Sequence, residues 1–219
     1  MLTFSLKNIK KEIQIIVSPF LVSVMYEFLA KNITKFFIDK KIIDKSKHEI
    51  YEYGFELIFS QTVYILIMIF ISVLFNCIIE SIVFFLGFYF YRKFSGGYHA
   101  KTYISCHLLF SMNQLIFILI KNIILVKYRY LISISTLLFT AIITYTCSPI
   151  DHPNKLFTEK EYFRYKKLSR AFIIIQFPVS LLFLQLDKNN ILYFCFCFGI
   201  FSASMSLLYA FIERRLKNG

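Results

Sequence analysis

Six apolar blocks, at 57–76, 78–91, 103–120, 131–147, 170–186 and 191–211, restrict what this chain can become. A helix needs about 20 apolar residues, within a range of about 17–25, to cross a bilayer core. A soluble globule of 219 residues has too little interior to hide them, since hydrophobic residues make up 58% of the chain and charged ones only 17%. The block at 78–91 is short, but Arg92 and Lys93 can snorkel and let Phe94 extend it. Pro178 falls inside the fifth block and predicts a kink there. The expected fold class is an all-α integral membrane protein. Residues 57–219 form a six-span transmembrane domain, and residues 1–56 form amphipathic helices at the cytoplasmic interface.

The net charge of +12 is not a nucleic-acid signal, because the basic residues lie in the gaps between apolar blocks rather than in one aromatic-interleaved stripe. No nucleic-acid partner is expected; the partner is the lipid bilayer. With six spans and an inner N-terminus, the inner segments carry 21 of the 25 Lys and Arg and the outer ones four. That bias predicts both termini and the segment 92–102 on the cytoplasmic face. The chain opens on a lysine-bearing polar stretch rather than a signal peptide, so the first crossing is expected to act as the targeting element.

Within the first 56 residues, Ser18-Pro19 reads as an N-cap followed by proline at the first helical position. Val22, Met25, Leu29, Ile33 and Phe36 then recur at steps of three or four, opposite Ser23, Glu27, Lys31 and Lys35. This predicts an amphipathic helix, lying either in the inner headgroup region or against the protein's own helices.

Reactive groups are few. Cys77, Cys106, Cys147, Cys195 and Cys197 are odd in number and mostly inside apolar runs, which is no disulfide framework. No Cys/His grouping has structural-zinc spacing, and neither metal nor cofactor is expected. The stretch "RKFSGGYHAKTYISC" (92–106) differs, with His99 seven positions before Cys106, Gly96 and Gly97 just upstream, and Arg92, Lys93 and Lys101 around them. Cations and a helix N-terminus favour the thiolate, the nucleophilic form of cysteine. Seven residues of straight helix would hold the two side chains about 10 Å apart. A working pair therefore requires His99 to sit in a loop folded back over the helical turn of Cys106, which the glycines permit. His107 points about 100° away from Cys106 on a helix. Cys147 with His152, in "CSPIDHPNK", is a second candidate pair without the cluster of cations. The residues alone leave both pairs open.

Arg92, Gly96, Gly97, His99 and Cys106 resemble the signature of the accessory gene regulator B family, membrane-integrated cysteine endopeptidases of Gram-positive quorum sensing. The similarity extends to "YGFELIF" (53–59), the span pattern and "SPIDHPNKLFTEKE" (148–161). The resemblance implies that His99 and Cys106 are catalytic, and matches Cys147 and His152 to nothing catalytic. It implies an AgrD-like signal propeptide as substrate, cut before an acidic tail through an acyl-enzyme thioester and cyclised to a thiolactone or lactone. It also implies a homodimer. Arg92, Lys93, Lys101 and Lys155, with Lys166 and Lys167, are then candidates for attracting the acidic tail. Gly96 and Gly97 are candidates for binding the substrate through their backbone N–H groups. Two other functional classes remain, a peptide exporter and a non-enzymatic membrane scaffold for the propeptide. Few polar residues fall within the spans, and Glu80, Asn113 and Gln114 are expected to serve helix packing or lie near helix ends.

Overall fold

The computed structural model describes residues 22, 24–98, 100, 102–151, 157–186 and 189–218, and among these no strand occurs. The helices are α1 (24–39), α2 (His48–Leu74), α3 (Ile78–Ser95), α4 (Tyr103–Ile123), α5 (Val126–Cys147), α6 (Glu159–Leu186) and α7 (Ile191–Asn218), with a 3-10 turn at Lys45–Lys47. They fall into two compact units. One comprises Met1–Phe70 and Ala100–Met112; the other comprises Ile71–His99 and Asn113–Gly219.

In the first unit, α1 turns Tyr26, Ala30 and Thr34 inward, all at most 2% exposed, and Phe37 stacks on Phe55 of α2 at 5.8 Å. The predicted apolar stripe lies beside that face rather than on it. Met25, Leu29 and Phe36 are exposed, and Val22 and Ile33 half-buried. One face of α1 thus packs on the protein's own helices. The Ser18-Pro19 cap lies outside the described residues. Lys41, at φ 57, ends the helix, with Ile42 N–H donating to Phe37 O (2.9 Å). Asp44 then caps the 3-10 turn through Ser46 N–H (3.0 Å), which holds its carboxyl below the usual carboxylate range. Glu52 pairs with His48 (3.3 Å) and with Lys31 of α1 (3.8 Å).

In the second unit, the backbones of α3 and α7 approach closely. A Cβ on Gly87 would lie 2.4 Å from Phe196 O, and one on Gly199 would lie 2.1 Å from Phe84 O. Small residues at such a crossing are how helices associate where no water drives them together. Phe84 stacks on Phe117 at 4.3 Å. Polar side chains turn inward and pair: Tyr91 with Thr144 (2.6 Å), Thr140 with Ser204 (3.3 Å), Ser202 donating to Asn113 (2.6 Å), and Gln114 donating to Ser72 (3.0 Å). Lys121 meets Glu80 at 3.3 Å. Asn113, Gln114 and Glu80 thus hold helices together, as expected from the sequence. Exposed apolar side chains, among them Leu66, Phe70, Leu74, Leu138, Ile142 and Ile174, are what a lipid-facing surface requires.

Five helices are long and apolar enough to cross a bilayer: Lys45–Leu74, Tyr103–Ile123, Val126–Cys147, Glu159–Leu186 and Ile191–Lys217. The chain is a multi-pass, all-helical membrane protein. The block at 78–91 is helical and continues to Ser95, but Glu80, Arg92 and Lys93 lie within those 18 residues. Among the described helices, those meeting the length and hydropathy of a crossing therefore number five and not six. α6 runs unbroken through Pro178. It begins at a capping box in which Thr158 Oγ1 accepts from Glu161 N–H (3.3 Å) while Glu161 Oε2 accepts from Thr158 N–H (3.0 Å).

Candidate catalytic site

The first unit holds the candidate nucleophile. Thr102 starts α4, its Oγ1 accepting from Ser105 N–H (3.2 Å) and its carbonyl from Cys106 N–H (3.1 Å). Cys106 thus occupies the first turn, close to the partial positive end of the helix. Going round α4, residues 103, 107, 110 and 114 share one stripe, and position 106 lies about 60–70° to its side. Burial follows that geometry: His107, Phe110 and Gln114 are buried and Cys106 is half-buried. The other four cysteines are all buried, so a single thiol in this chain is open to a macromolecule.

The stripe beside Cys106 is tied down by residues that its spacing did not announce. Tyr103 O–H donates to Glu56 Oε2 of α2 (2.9 Å). The Tyr26 and Tyr103 rings form a T-shaped pair at 5.3 Å. The Tyr26 hydroxyl lies 3.5 Å from His107 Nε2, a long contact whose donor depends on the imidazole tautomer. Burial pushes the Tyr26 phenol up from its ordinary value, so it stays protonated. Tyr64 packs on Phe110 at 3.9 Å and lies 6.3 Å from the His107 ring. His107 is therefore a packing residue of the α1–α4 contact, and its Nδ1 has no partner among the described residues.

The second unit holds the glycine turn. Gly96 ends α3 at φ 79, donating its N–H to Arg92 O (3.0 Å), and Gly97 follows at φ 149. Both conformations favour glycine, and at Gly96 space demands it as well. A Cβ on Gly96 would sit 2.2 Å from Ile150 O, and one on Gly97 would sit 3.0 Å from Ser206 Oγ. The turn is laced to its neighbours. Ile150 N–H and Ser148 Oγ both donate to Ser95 O (3.3 and 3.4 Å), and Tyr98 N–H donates to Ser206 O and Oγ (3.1 Å each). The segment 148–151, part of the sequence similarity, is thus the floor on which the glycine turn rests.

Of the candidate basic residues, Arg92 donates to Tyr98 O and lies over the Phe88 ring at 5.7 Å, so it braces the turn from within. Lys93 is exposed, with its Nζ 6.0 Å from the Phe94 ring. Lys166 is half-buried and Lys167 exposed on the first turns of α6. His99, Lys101 and Lys155 lie outside the described residues, as does His152. Cys147, the sulfur of the second candidate pair, is 7% exposed and contacts Thr146 Oγ1 at 3.3 Å. Among the described residues no group of three His, Cys, Asp or Glu side chains could hold a metal ion.

Tyr26 and Glu56 are the residues that the sequence reading missed. Glu56 lies within "YGFELIF", but nothing in that string indicates a partner 47 positions away.

The model of a protein family described as "Accessory gene regulator B" matches residues 25–208. The chain is 29% identical over 171 residues to the "Putative AgrB-like protein" of Clostridium perfringens strain SM101 / Type A, covering 75% of this chain and 80% of that one. It is 27% identical over 172 residues to the "Putative AgrB-like protein 2" of Clostridium perfringens strain 13 / Type A, covering 76% and 80% respectively. No solved structure matches it significantly.

Proposed function

This chain belongs to the accessory gene regulator B family and so to accessory gene regulator quorum sensing, and we propose that within it the chain is a membrane-embedded cysteine endopeptidase for a small signal propeptide. The observation that carries this reading is the state of Cys106: the one cysteine of five that is not buried, set in the first turn of α4. Only Ala100 and Lys101 separate His99 from Thr102 in the sequence, a span of at most about 11 Å between the two Cα atoms.

In the reaction, His99 takes the thiol proton as Cys106 Sγ bonds to the carbonyl carbon preceding the acidic tail. The carbon–nitrogen bond then breaks, and the leaving amine takes the proton from His99. The signal segment remains as a thioester on Cys106. A thiol within the substrate attacks that carbonyl, its proton passing to His99 and on to the departing Cys106 sulfur, and a thiolactone ring closes. A substrate hydroxyl would close a lactone by the same route. Water competes at this step, and placement at the bilayer edge disfavours it. Exposed Lys93 and Lys167, with Lys101, Lys155 and half-buried Lys166, draw the acidic tail to the site and raise the encounter rate. Arg92 instead braces the glycine turn by donating to Tyr98 O. The proposed topology keeps both termini and the loop 92–102 cytoplasmic. α3 then makes a sixth crossing, with Glu80 paired to Lys121 near one end and Arg92 and Lys93 snorkelling at the other. The working form is proposed to be a homodimer.

Cys106→Ser tests the reading with candidate propeptides encoded beside this chain. Tail release is expected to be abolished while propeptide binding persists, and Cys147→Ser is expected to cleave at the wild-type rate. Release of mature peptide by Cys106→Ser would leave an exporter or a scaffold.

A further inference from the structure

The nucleophile's turn is locked from two other helices of its own unit. Tyr103, at the first position of α4, donates its hydroxyl hydrogen bond to Glu56 of α2 at 2.9 Å and forms a T-shaped pair with the Tyr26 ring at 5.3 Å. One helical turn later, His107 meets the Tyr26 hydroxyl. Positions 103 and 107 flank Cys106 by three residues before and one after, so fixing both sets the rotation of α4 at the sulfur. The first turn of a helix needs such help, because its leading N–H groups have no intrahelical partners and it frays readily. Here, among the described residues, the cap is Thr102, and its hydroxyl is shared between Ser105 N–H and Ser105 Oγ. Glu56 is one turn from Glu52, which is itself held by Lys31 and His48, so the anchor stands on a braced segment of α2.

We infer that Glu56, through its hydrogen bond with Tyr103, is a positioning residue that holds the α4 turn so that Cys106 presents its sulfur to the substrate, with Tyr26 as the second hold. The inference rests on the endopeptidase reading for its kinetic consequence, but not for its structural one. A displacement of about 1 Å at a reacting atom can cost on the order of 100-fold in rate. The role requires an acceptor at position 56 and no charge there.

The full-length protein in lipid vesicles provides two readouts: kcat and KM for cleavage of candidate propeptides encoded beside the chain, and the rate at which iodoacetamide alkylates Cys106. Glu56→Ala and Tyr103→Phe are each expected to lower kcat at least tenfold with KM within about twofold, and to speed alkylation about threefold as the released turn exposes the sulfur. Glu56→Gln keeps an oxygen that accepts from the Tyr103 hydroxyl and is expected to remain close to wild type in both. The double variant Glu56→Ala/Tyr103→Phe is expected to be no worse than the worse single, since one bond is lost in all three. If Glu56→Gln falls as far as Glu56→Ala, charge is what matters and the inference is overturned. Multiplying single effects, or alkylation that is unchanged or slower, overturn it too. Should Cys106→Ser still cleave, the endopeptidase reading fails while the alkylation rates continue to decide the positioning role.

Discussion

Gly96→Ala is the substitution whose cost the structure sets most sharply. The residue stands at φ 79 and ψ −156, a region essentially closed to side chains, where strain costs about 1–3 kcal/mol. The new methyl would lie 2.2 Å from Ile150 O, a backbone atom that cannot swing aside. Restoring ordinary contact requires the chain at 150 to retreat by about 1 Å, which sacrifices the Ile150 N–H bond to Ser95 O, worth a net ~0.5–1.5 kcal/mol. Together these predict a loss of roughly 2–4 kcal/mol, or a fall in Tm of roughly 5–15 °C for a chain of this size. The assay is thermal unfolding of purified protein in lipid nanodiscs, followed by intrinsic tyrosine fluorescence. Gly54→Ala is the internal control, because a Cβ there meets nothing within 4 Å and alanine is favoured over glycine inside a helix by about 0.5–1 kcal/mol. If Gly96→Ala melts with the wild type, the close approach of the glycine turn to segment 148–151 is wrong. If Gly54→Ala falls as far as Gly96→Ala, the loss reflects glycine replacement in general.

Two further outcomes follow from exposure and charge. Under native conditions iodoacetamide should modify Cys106 alone among the five cysteines, because the other four are buried; mass mapping of labelled peptides checks this, and labelling of Cys147 at a similar rate would contradict it. Lys93→Glu should raise KM for an acidic-tailed propeptide with little change in kcat, and the difference should shrink as salt is added; a salt-independent effect would refute a steering role.

Hydropathy located most of the helices but placed several ends poorly, for a physical reason. α2 starts at His48 rather than 57 and α6 at Glu159 rather than 170. Their first turns, His-Glu-Ile-Tyr-Glu and Glu-Lys-Glu-Tyr-Phe-Arg, are charged helix outside the apolar core, where a search for continuous apolar residues is blind. At 27 and 28 residues these helices are about 40 Å long, well beyond the ~30 Å hydrocarbon thickness. α1 shows a different limit. Its apolar stripe was legible, but the side that packs on the protein carries Tyr26, Ala30 and Thr34, a mixed face with little hydropathic signal. At the site, Cys106 and the glycine turn were legible as spacing. The Tyr103–Glu56 bond was not, because it joins residues 47 apart through the folding of two helices. Nor was the use of Arg92 as a brace for Tyr98, which a string of basic residues does not distinguish from a free surface charge.

In the proposed reaction the acyl group is carried by Cys106. Incubating the protein with a cleavable propeptide, quenching in acid within the first turnovers and mapping the digested chain by mass measures that directly. The predicted result is the propeptide mass less its acidic tail added at Cys106, lost on treatment with hydroxylamine and absent from His99→Ala. Tail release without any adduct on the peptide containing Cys106, or with the adduct on Cys147, would contradict it.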